Sequence, residues 1–353
     1  MASPASPTPD KVQHLQQTRY RAAKADPRRR FHAQYDKVPR PDVLHRAWDQ
    51  VRSNRGAAGV DRVTVTAVAA YGESRLVEEL AAELRAPTYR PLPARRVWMP
   101  KPGSTEQRPL ATPAVRDRIV QAALKLVIEP VFEADFRPVS FGCRPKTAAH
   151  DALHVLLDEA VRGPRWVMAT DMAHCLDAIP HDRRMTAGAA RLCDRHVVRL
   201  GRGFLQAGVM AGTAVRHRAT GPPQGGVISP LLANIYLHAL DQAWERDGQG
   251  RLVRYAEDLV VLCGPEQEAA QACGRGRPFG RDGHWSQRRR KHAWSTSPWV
   301  ETAWTFWAST TAGSGPAAAP AASGGNSSPA GPRVGRGSRP GIASGALPNA
   351  DAS

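Results

Sequence analysis

Cysteine is sparse and unpatterned in this chain. Cys143, Cys175, Cys193, Cys263 and Cys273 are odd in number, and no two form a CxxC pair. Neither a disulfide framework nor a zinc site is indicated. The first ten residues, Met1-Ala-Ser-Pro-Ala-Ser-Pro-Thr-Pro-Asp10, lack the apolar core of a signal peptide. No apolar run reaches the roughly 20 residues that a helix needs to cross a bilayer. The expected setting is therefore cytoplasmic and reducing, with no membrane partner. Acid is also scarce: 32 Asp and Glu stand against 49 Lys and Arg, giving a net charge of +17 and a pI of about 10.5. Such an excess suits a polyanion, because Lys and Arg release counterions from a phosphate backbone on binding. Charge alone equally fits an Arg-biased, GC-rich genome.

With 353 residues the chain can hold one large domain or two ordinary ones. Residues 1–44 are basic and Pro-rich at their start, which predicts a partly disordered N-terminal segment. From Pro41 to about Ala272 the pattern is globular. Val115, Ile119, Ala122 and Leu126 recur at helical spacing and predict an amphipathic helix. Trp166-Val-Met-Ala-Thr-Asp-Met172 reads as a buried strand ending in an acid, and Leu231 to His238 as a helix. After about Cys273 the character changes. Residues 313–350 are Gly, Ala, Ser and Pro with scattered Arg, which cannot bury enough apolar surface to offset chain entropy. Yet Trp285, Trp294, Trp299, Trp304 and Trp307 crowd a short polar stretch, which suits neither a linker nor a core.

The most informative stretch is Arg251-Leu-Val-Arg-Tyr-Ala-Glu-Asp-Leu-Val-Val-Leu-Cys263. Glu257 and Asp258 sit at a tight turn between two apolar strands. Adjacent carboxylates there suit a divalent cation, although an acidic hairpin tip can also simply be solvated. Asp171 ends a separate strand, and Asp177 follows six residues later. An Asp after a strand is commonly a helix N-cap. Together with Glu257 and Asp258, however, Asp171 brings carboxylates from two strand ends, as two-metal phosphoryl transfer requires. Oxygen ligands suit Mg²⁺. Thr220-Gly-Pro-Pro-Gln-Gly-Gly-Val-Ile-Ser-Pro230 is a Gly/Pro-rich loop opening a helix; its glycines allow a backbone to approach a flat ligand, or mark a plain turn. Met99 to Pro109 is a basic hairpin whose Lys101 and Arg108 could converge on a triphosphate or stay solvated.

In this order the motifs resemble the reverse transcriptases of bacterial group II introns, which are intron-encoded polymerases and maturases. The matching segments are Gly59-Val-Asp61, Arg108-Pro-Leu110, Val115-Arg-Asp-Arg-Ile119 through Glu129-Pro130, and Ser140-Phe-Gly-Cys-Arg-Pro145. The Asp171 strand, Pro223-Gln-Gly-Gly-Val-Ile-Ser-Pro-Leu-Leu-Ala-Asn-Ile-Tyr236 and Arg254-Tyr-Ala-Glu-Asp258 complete the series. The resemblance runs from about residue 45 to 272. It implies an α+β right-hand polymerase with fingers and palm, using Mg²⁺, dNTPs, an RNA template or intron RNA, and a DNA primer. It places Lys101 and Arg108 on the incoming triphosphate. Gln224 and Gly225 would line the nucleotide and template pocket. Asp171, Glu257 and Asp258 would be the catalytic metal ligands.

Three residues depart from the family pattern. Glu257 replaces the first Asp of a Tyr-Ala-Asp-Asp box, Leu176 replaces the aromatic that screens the ribose 2′-hydroxyl, and Pro222 replaces a Thr. The tail departs altogether, so the expected polypeptide has no thumb and ends in a disordered segment from 273 to 353. Read one frame over, Trp304-Thr305 must encode Asp and Phe306-Trp307 must encode Leu. With permitted codons, residues 291–312 can then spell the family's continuation, including Phe-Leu-Gly-Phe. The expectation is a frameshift between about residues 268 and 290. The alternative to an active polymerase is a catalytically inactive truncated remnant with residual non-specific RNA binding.

Overall fold

The computed structural model describes residues 10–100, 105, 107–162, 166–171, 181–212, 214–216, 225–248, 250–265, 267, 271 and 286–288. For residues 108, 160, 168–171 and 286–288 that description stops at the backbone. All of them fall in the first of two compact units, residues 1–310; the second, 311–353, lies outside the described residues.

The N-terminal half is mainly helical, with α1 (Lys11–Ala25), α2 (Pro41–Ser53), α3 (Val65–Tyr71), α4 (Glu73–Arg85) and α5 (Val115–Glu133). Local chemistry starts several of them. Asp10 caps α1 by accepting from the Val12 and Gln13 amides, and Pro41 opens α2 where its missing N–H is harmless. The 115–126 spacing predicts a one-sided helix, but α5 is buried almost all round, from Val115 through Phe132. A helix enclosed on every side is a core element. Its charged residues Asp117 and Arg118 are buried with it, and Arg118 turns its guanidinium onto the Ala57 carbonyl.

The expectation of a partly disordered N-terminal segment is corrected for residues 10–44. Val12, Ala23, Phe31 and Val38 are buried in the main core. Gln16 Nε2 donates to Leu126 O at 3.2 Å, and Lys24 Nζ to Ala134 O at 3.2 Å, so α1 is tied along α5. Its few apolar residues suffice because good helix formers separate them.

Two four-stranded sheets follow. β1 (Ala94–Pro100) and β2 (Gln107–Thr112) form the expected basic hairpin, extended by β4 (Val209–Ala211) and β5 (Ala214–Arg216) in the order β2-β1-β4-β5. The other sheet is antiparallel and ordered β6-β7-β3-β8, with β3 (Trp166–Asp171), β6 (Arg251–Tyr255), β7 (Asp258–Cys263) and β8 (Ser286–Arg288). Helices α6 (Ala149–Val161), α7 (His181–Ala189), α8 (Arg195–Gln206) and α9 (Ser229–Asp247) complete the described α-helices, and one 3-10 turn spans Tyr35–Lys37.

Strand alternation decides what each face of the second sheet meets. Leu252, Leu259, Val261 and Cys263 pack with Leu237, Leu240 and Trp244 of α9. Val253, Val260 and Leu262 pack with Ala152 and Leu156 of α6. The sheet is thus a palm covered by helices on both faces, beside a helical fingers layer, which is the α+β fingers-and-palm architecture. β8 is a departure from the structureless tail expected after residue 272: residues 286–288 pair with β3 along its otherwise open edge. Among the described residues no helix is long and apolar enough to cross a membrane.

Candidate active site

Strands β6 and β7 are joined by the two residues Ala256 and Glu257, and Tyr255 pairs with Asp258 across the turn. Ala256 has φ +53°, in the left-handed region that a two-residue hairpin demands and that a side chain disfavours by about 1–3 kcal/mol. That strained turn carries both carboxylates. Glu257 is half-buried at the tip, and Asp258 is half-buried at the first position of β7.

β3 runs antiparallel to β7 with Asp171 directly opposite Asp258. Opposed residues in such a ladder lie about 4.5–5.5 Å apart at Cα. The end of one strand and the start of another therefore bring three acid-bearing positions to one edge of the palm. Carboxylate oxygen is the donor type Mg²⁺ takes, so the residue set fits that ion. Among the described residues no group of three His, Cys, Asp or Glu converges as a metal cluster, and the Asp171 side chain is not among those described.

A buried polar brace holds the hairpin from behind. By strand parity Arg254 points toward α9, into an otherwise apolar layer. There it meets Asp241 in a forked pair, Nε to Oδ1 at 2.7 Å and Nη2 to Oδ2 at 2.6 Å, with both side chains fully buried. Its third nitrogen, Nη1, donates to Asn234 Oδ1 at 2.8 Å and to the Ala256 carbonyl at 2.9 Å. Asn234 in turn donates to the Gly142 carbonyl at 2.9 Å. The backbone joins in: Arg254 N donates to Val139 O at 2.7 Å, and Phe141 N donates to Arg254 O at 2.8 Å. Gly142 lies so close that a Cβ there would overlap the Ala256 nitrogen and stand 2.8 Å from the Tyr255 carbonyl carbon. Two segments quoted for resemblance, residues 140–145 and 223–236, thus touch the hairpin itself.

Arg144 fastens the first of these segments. It pairs with Glu133 at 2.6 Å and donates to the carbonyls of Arg137 and Ser140. Next to it, the Cys143 thiol is raised, first by desolvation and then by the Glu257 carboxylate. Tyr255 is raised as well, by burial first and then by Cys143 and Asp258. Negative charge therefore concentrates at the hairpin tip. Behind it, His238 on α9 is pushed down to about 4, chiefly by burial, and among the described residues its buried Nδ1 has no hydrogen-bond partner.

The other expected site residues are only partly described. Lys101, Leu176 and Gln224 lie outside the described residues, as does Asp177. Arg108 is placed on β2 opposite Met99, backbone only. Gly225 is described: it has φ +114°, and a Cβ there would meet the Ala111 carbonyl oxygen of β2 at 2.5 Å. Its lack of a side chain seats the loop against the fingers hairpin. A buried pair also fixes the approach to β1. Tyr89 donates its hydroxyl to Asp117 at 2.6 Å, and the Leu92 amide donates to the other oxygen at 3.0 Å. Burial raises Asp117 to about 6 in spite of those donors.

Sequence reasoning missed the brace. Its signal was available: an Arg inside an apolar strand at core-facing parity, and Asn234 and Asp241 seven residues apart on one helix face.

Comparison with known proteins defines the class. The family model for reverse transcriptases (RNA-dependent DNA polymerases) matches residues 99–278, which is 180 of the 353 residues. The chain belongs to this family. Within it, the similarity is to group II intron proteins. The group II intron-encoded protein LtrA of Lactococcus lactis subsp. cremoris is 34% identical over 208 residues, 59% of this chain and 34% of that protein. Protein YkfC of Escherichia coli (strain K12) is 38% identical over 229 residues, 62% of this chain and 59% of that one. Nuclear intron maturase 4, mitochondrial, of Arabidopsis thaliana is 25% identical over 213 residues, 59% of this chain and 25% of that protein. The chain spans between a quarter and three fifths of the length of these relatives.

Proposed function

We propose that this chain is an RNA-directed DNA polymerase of the group II intron type, copying an RNA template from a DNA primer with dNTPs. The observation that carries the reading is the register of Asp171 against Asp258 at the tip of a hairpin bearing Glu257. In this reading Asp171, Glu257 and Asp258 hold Mg²⁺. When bound, the ions favour the 3′-oxygen nucleophile and offset charge on the leaving pyrophosphate. The primer 3′-oxygen forms the new bond to the α-phosphorus, pyrophosphate departs, and the hydroxyl proton passes to solvent. The hairpin's contribution is placement. Asp258 is fixed by the β6–β7 ladder, and Glu257 by a turn whose carbonyl is held by Arg254. Lys101 and Arg108 bind the triphosphate, and Gln224 and Gly225 border the nucleotide. Leu176 stands where the family's sugar-screening aromatic would, so ribonucleotides are excluded less strictly.

A second reading, a catalytically inactive remnant that retains RNA binding, is favoured by one residue. Glu257 carries its carboxylate one methylene further than the family's Asp, and a misplacement of about 1 Å can lower a rate roughly 100-fold. Primer extension on an RNA template with Mg²⁺ separates the two. Activity in the native chain that Asp258→Ala abolishes supports the polymerase. Inactivity in both the native chain and Glu257→Asp refutes it.

A further inference from the structure

Away from the palm, a groove of about 210 Å³ runs between α8 and the segment leading into β1. We propose that this groove binds single-stranded nucleic acid through its phosphates, as a surface separate from the palm hairpin that carries Glu257 and Asp258. Its walls are rich in arginine: Arg90, Arg199 and Arg202 line it together with His196, Tyr35 and Pro91, and among the described residues no carboxylate lines it. The sequence builds this face by amphipathicity. On α8, Val197, Leu200, Phe204 and Leu205 are buried, while Arg195, Arg199 and Arg202 are exposed one turn apart. Side chains so spaced repeat at roughly 5 Å along the helix.

The cations are poised rather than neutralised. Arg90 is held by its own loop, Nη1 donating to Pro87 O at 3.1 Å and Tyr89 O at 2.9 Å, which leaves its other nitrogen edge for a ligand. Among the described residues Arg199 has no carboxylate partner. Arg202 has one, Asp182 at 3.5 Å, whose side chain is 91% exposed, a contact that a phosphate can displace. Asp194, buried at the start of α8, already accepts from the amides of Gln34, Tyr35, His196 and Val197.

What favours nucleic acid over an acidic protein is the aromatic component. The His196 ring lies 5.3 Å from that of Tyr35, and His196 is exposed, so it presents a face on which a base can stack. Cations flanking a stacking face form the usual surface for single strands. Among the described residues neither the palm sheet nor the β1–β2 hairpin contributes to its lining. The inference therefore stands or falls independently of polymerase activity.

The test is equilibrium binding of a fluorescent 20-nucleotide single-stranded RNA to the full chain across a salt series. Arg90→Ala/Arg199→Ala/Arg202→Ala should weaken binding at least tenfold near 0.1 M salt. It should also lower the log–log salt slope by about 2, as three lost phosphate contacts require. A control triple, Arg52→Ala/Arg75→Ala/Arg246→Ala, removes the same charge from arginines already paired with Asp49, Glu79 and Asp247, and should leave the slope nearly unchanged. Lysine at the three groove positions should restore most of the slope, which separates charge from misfolding. Equal losses in the groove and control triples would overturn the site, as would no loss in the groove triple. Displacement of the RNA by poly-glutamate of equal charge, as readily as by unlabelled RNA, would overturn the nucleic-acid assignment.

Discussion

Replacing Asp241 by Ala should destabilise the palm by about 3–5 kcal/mol, because it strands a buried guanidinium. Arg254 and Asp241 are both 0% exposed, and Asp241 accepts from two of the Arg254 nitrogens. After the substitution Arg254 keeps only Asn234 and the Ala256 carbonyl, with its charge uncompensated. A loss of that size is a fifth or more of the roughly 5–15 kcal/mol that typically holds a domain together. The double variant Arg254→Met/Asp241→Leu removes both charges at similar volume. It should recover most of the stability, less about 1–3 kcal/mol for the partners left on Asn234 and Ala256. Its hairpin would nevertheless be untethered, because the Ala256 carbonyl has lost its donor while keeping a strained φ. Urea unfolding followed by tryptophan fluorescence gives the stabilities, and primer extension the rate. The expected pattern is an unstable single variant and a stable double variant, with the double at least tenfold slower than the native chain. A single variant within 1 kcal/mol of native would show that the pair is not a buried charge pair in solution. A double variant with native rate would show that the brace does not place the carboxylates.

Gly142→Ala should act on the same hairpin by overlap. The new methyl meets backbone atoms of Tyr255 and Ala256, which cannot rotate aside, so a loss of about 1–3 kcal/mol and a far larger relative loss of extension rate are expected; native rate in this variant would refute the close approach. Stability against pH should carry two opposed slopes. His238 binds its proton near 4 when folded and near 6.5 when unfolded, so its contribution falls as pH drops through that window. Asp117 is raised to about 6 from 3.8, so its contribution is full below about 3.8 and is lost as pH rises through 6. Each amounts to roughly 3 kcal/mol at most. Melting temperatures between pH 4.5 and 6.5 should accordingly decrease toward acid in Asp117→Asn and decrease toward neutrality in His238→Phe; slopes of the same sign in both would refute the assignment. Cys143, raised in part by Glu257, should be alkylated faster at pH 8 in Glu257→Gln, as read by peptide mass spectrometry, and an unchanged or slower rate would separate the two groups.

What the sequence makes legible is what depends on near neighbours along the chain. The β6–β7 hairpin is visible because its alternation, its turn and its acids all fall within residues 251–263. The strand ending at Asp171 is visible for the same reason. Less legible is anything whose environment comes from afar. The spacing of α5 announces a helix, but its all-round burial depends on helices packed from elsewhere in the chain, among them α1, whose approach is fixed by hydrogen bonds 110 residues apart. The N-terminal helix is hidden by composition: the Pro-rich first residues and Arg28-Arg29-Arg30 dilute a stretch that Asp10 caps and that needs only a few apolar residues to dock.

The same distinction explains why the site reads clearly at its tip and poorly at its base. Glu257 and Asp258 identify themselves as chemistry only in company with the Asp171 strand and the flanking motifs, because an acidic hairpin tip by itself can simply be solvated. Arg254, Asn234 and Gly142 do not, because each has an ordinary local explanation, and only the fold brings together residues 13, 20 and 92 positions apart. Glycine is the clearest case. Gly225 reads as room for a flat ligand, and Gly142 as one letter of a motif. In the folded chain both are positions where backbone presses on backbone, Gly225 on the Ala111 carbonyl and Gly142 on the hairpin turn. A turn with an alanine at φ +53° needs such support. The left-handed residue that would ordinarily be glycine is kept in place by a glycine elsewhere, by a carbonyl held by arginine, and by the buried acid that makes that arginine tolerable. The placement of the carboxylates is therefore a property of the palm and its packed helix together, and substitutions far from the acids should move them as surely as substitutions beside them.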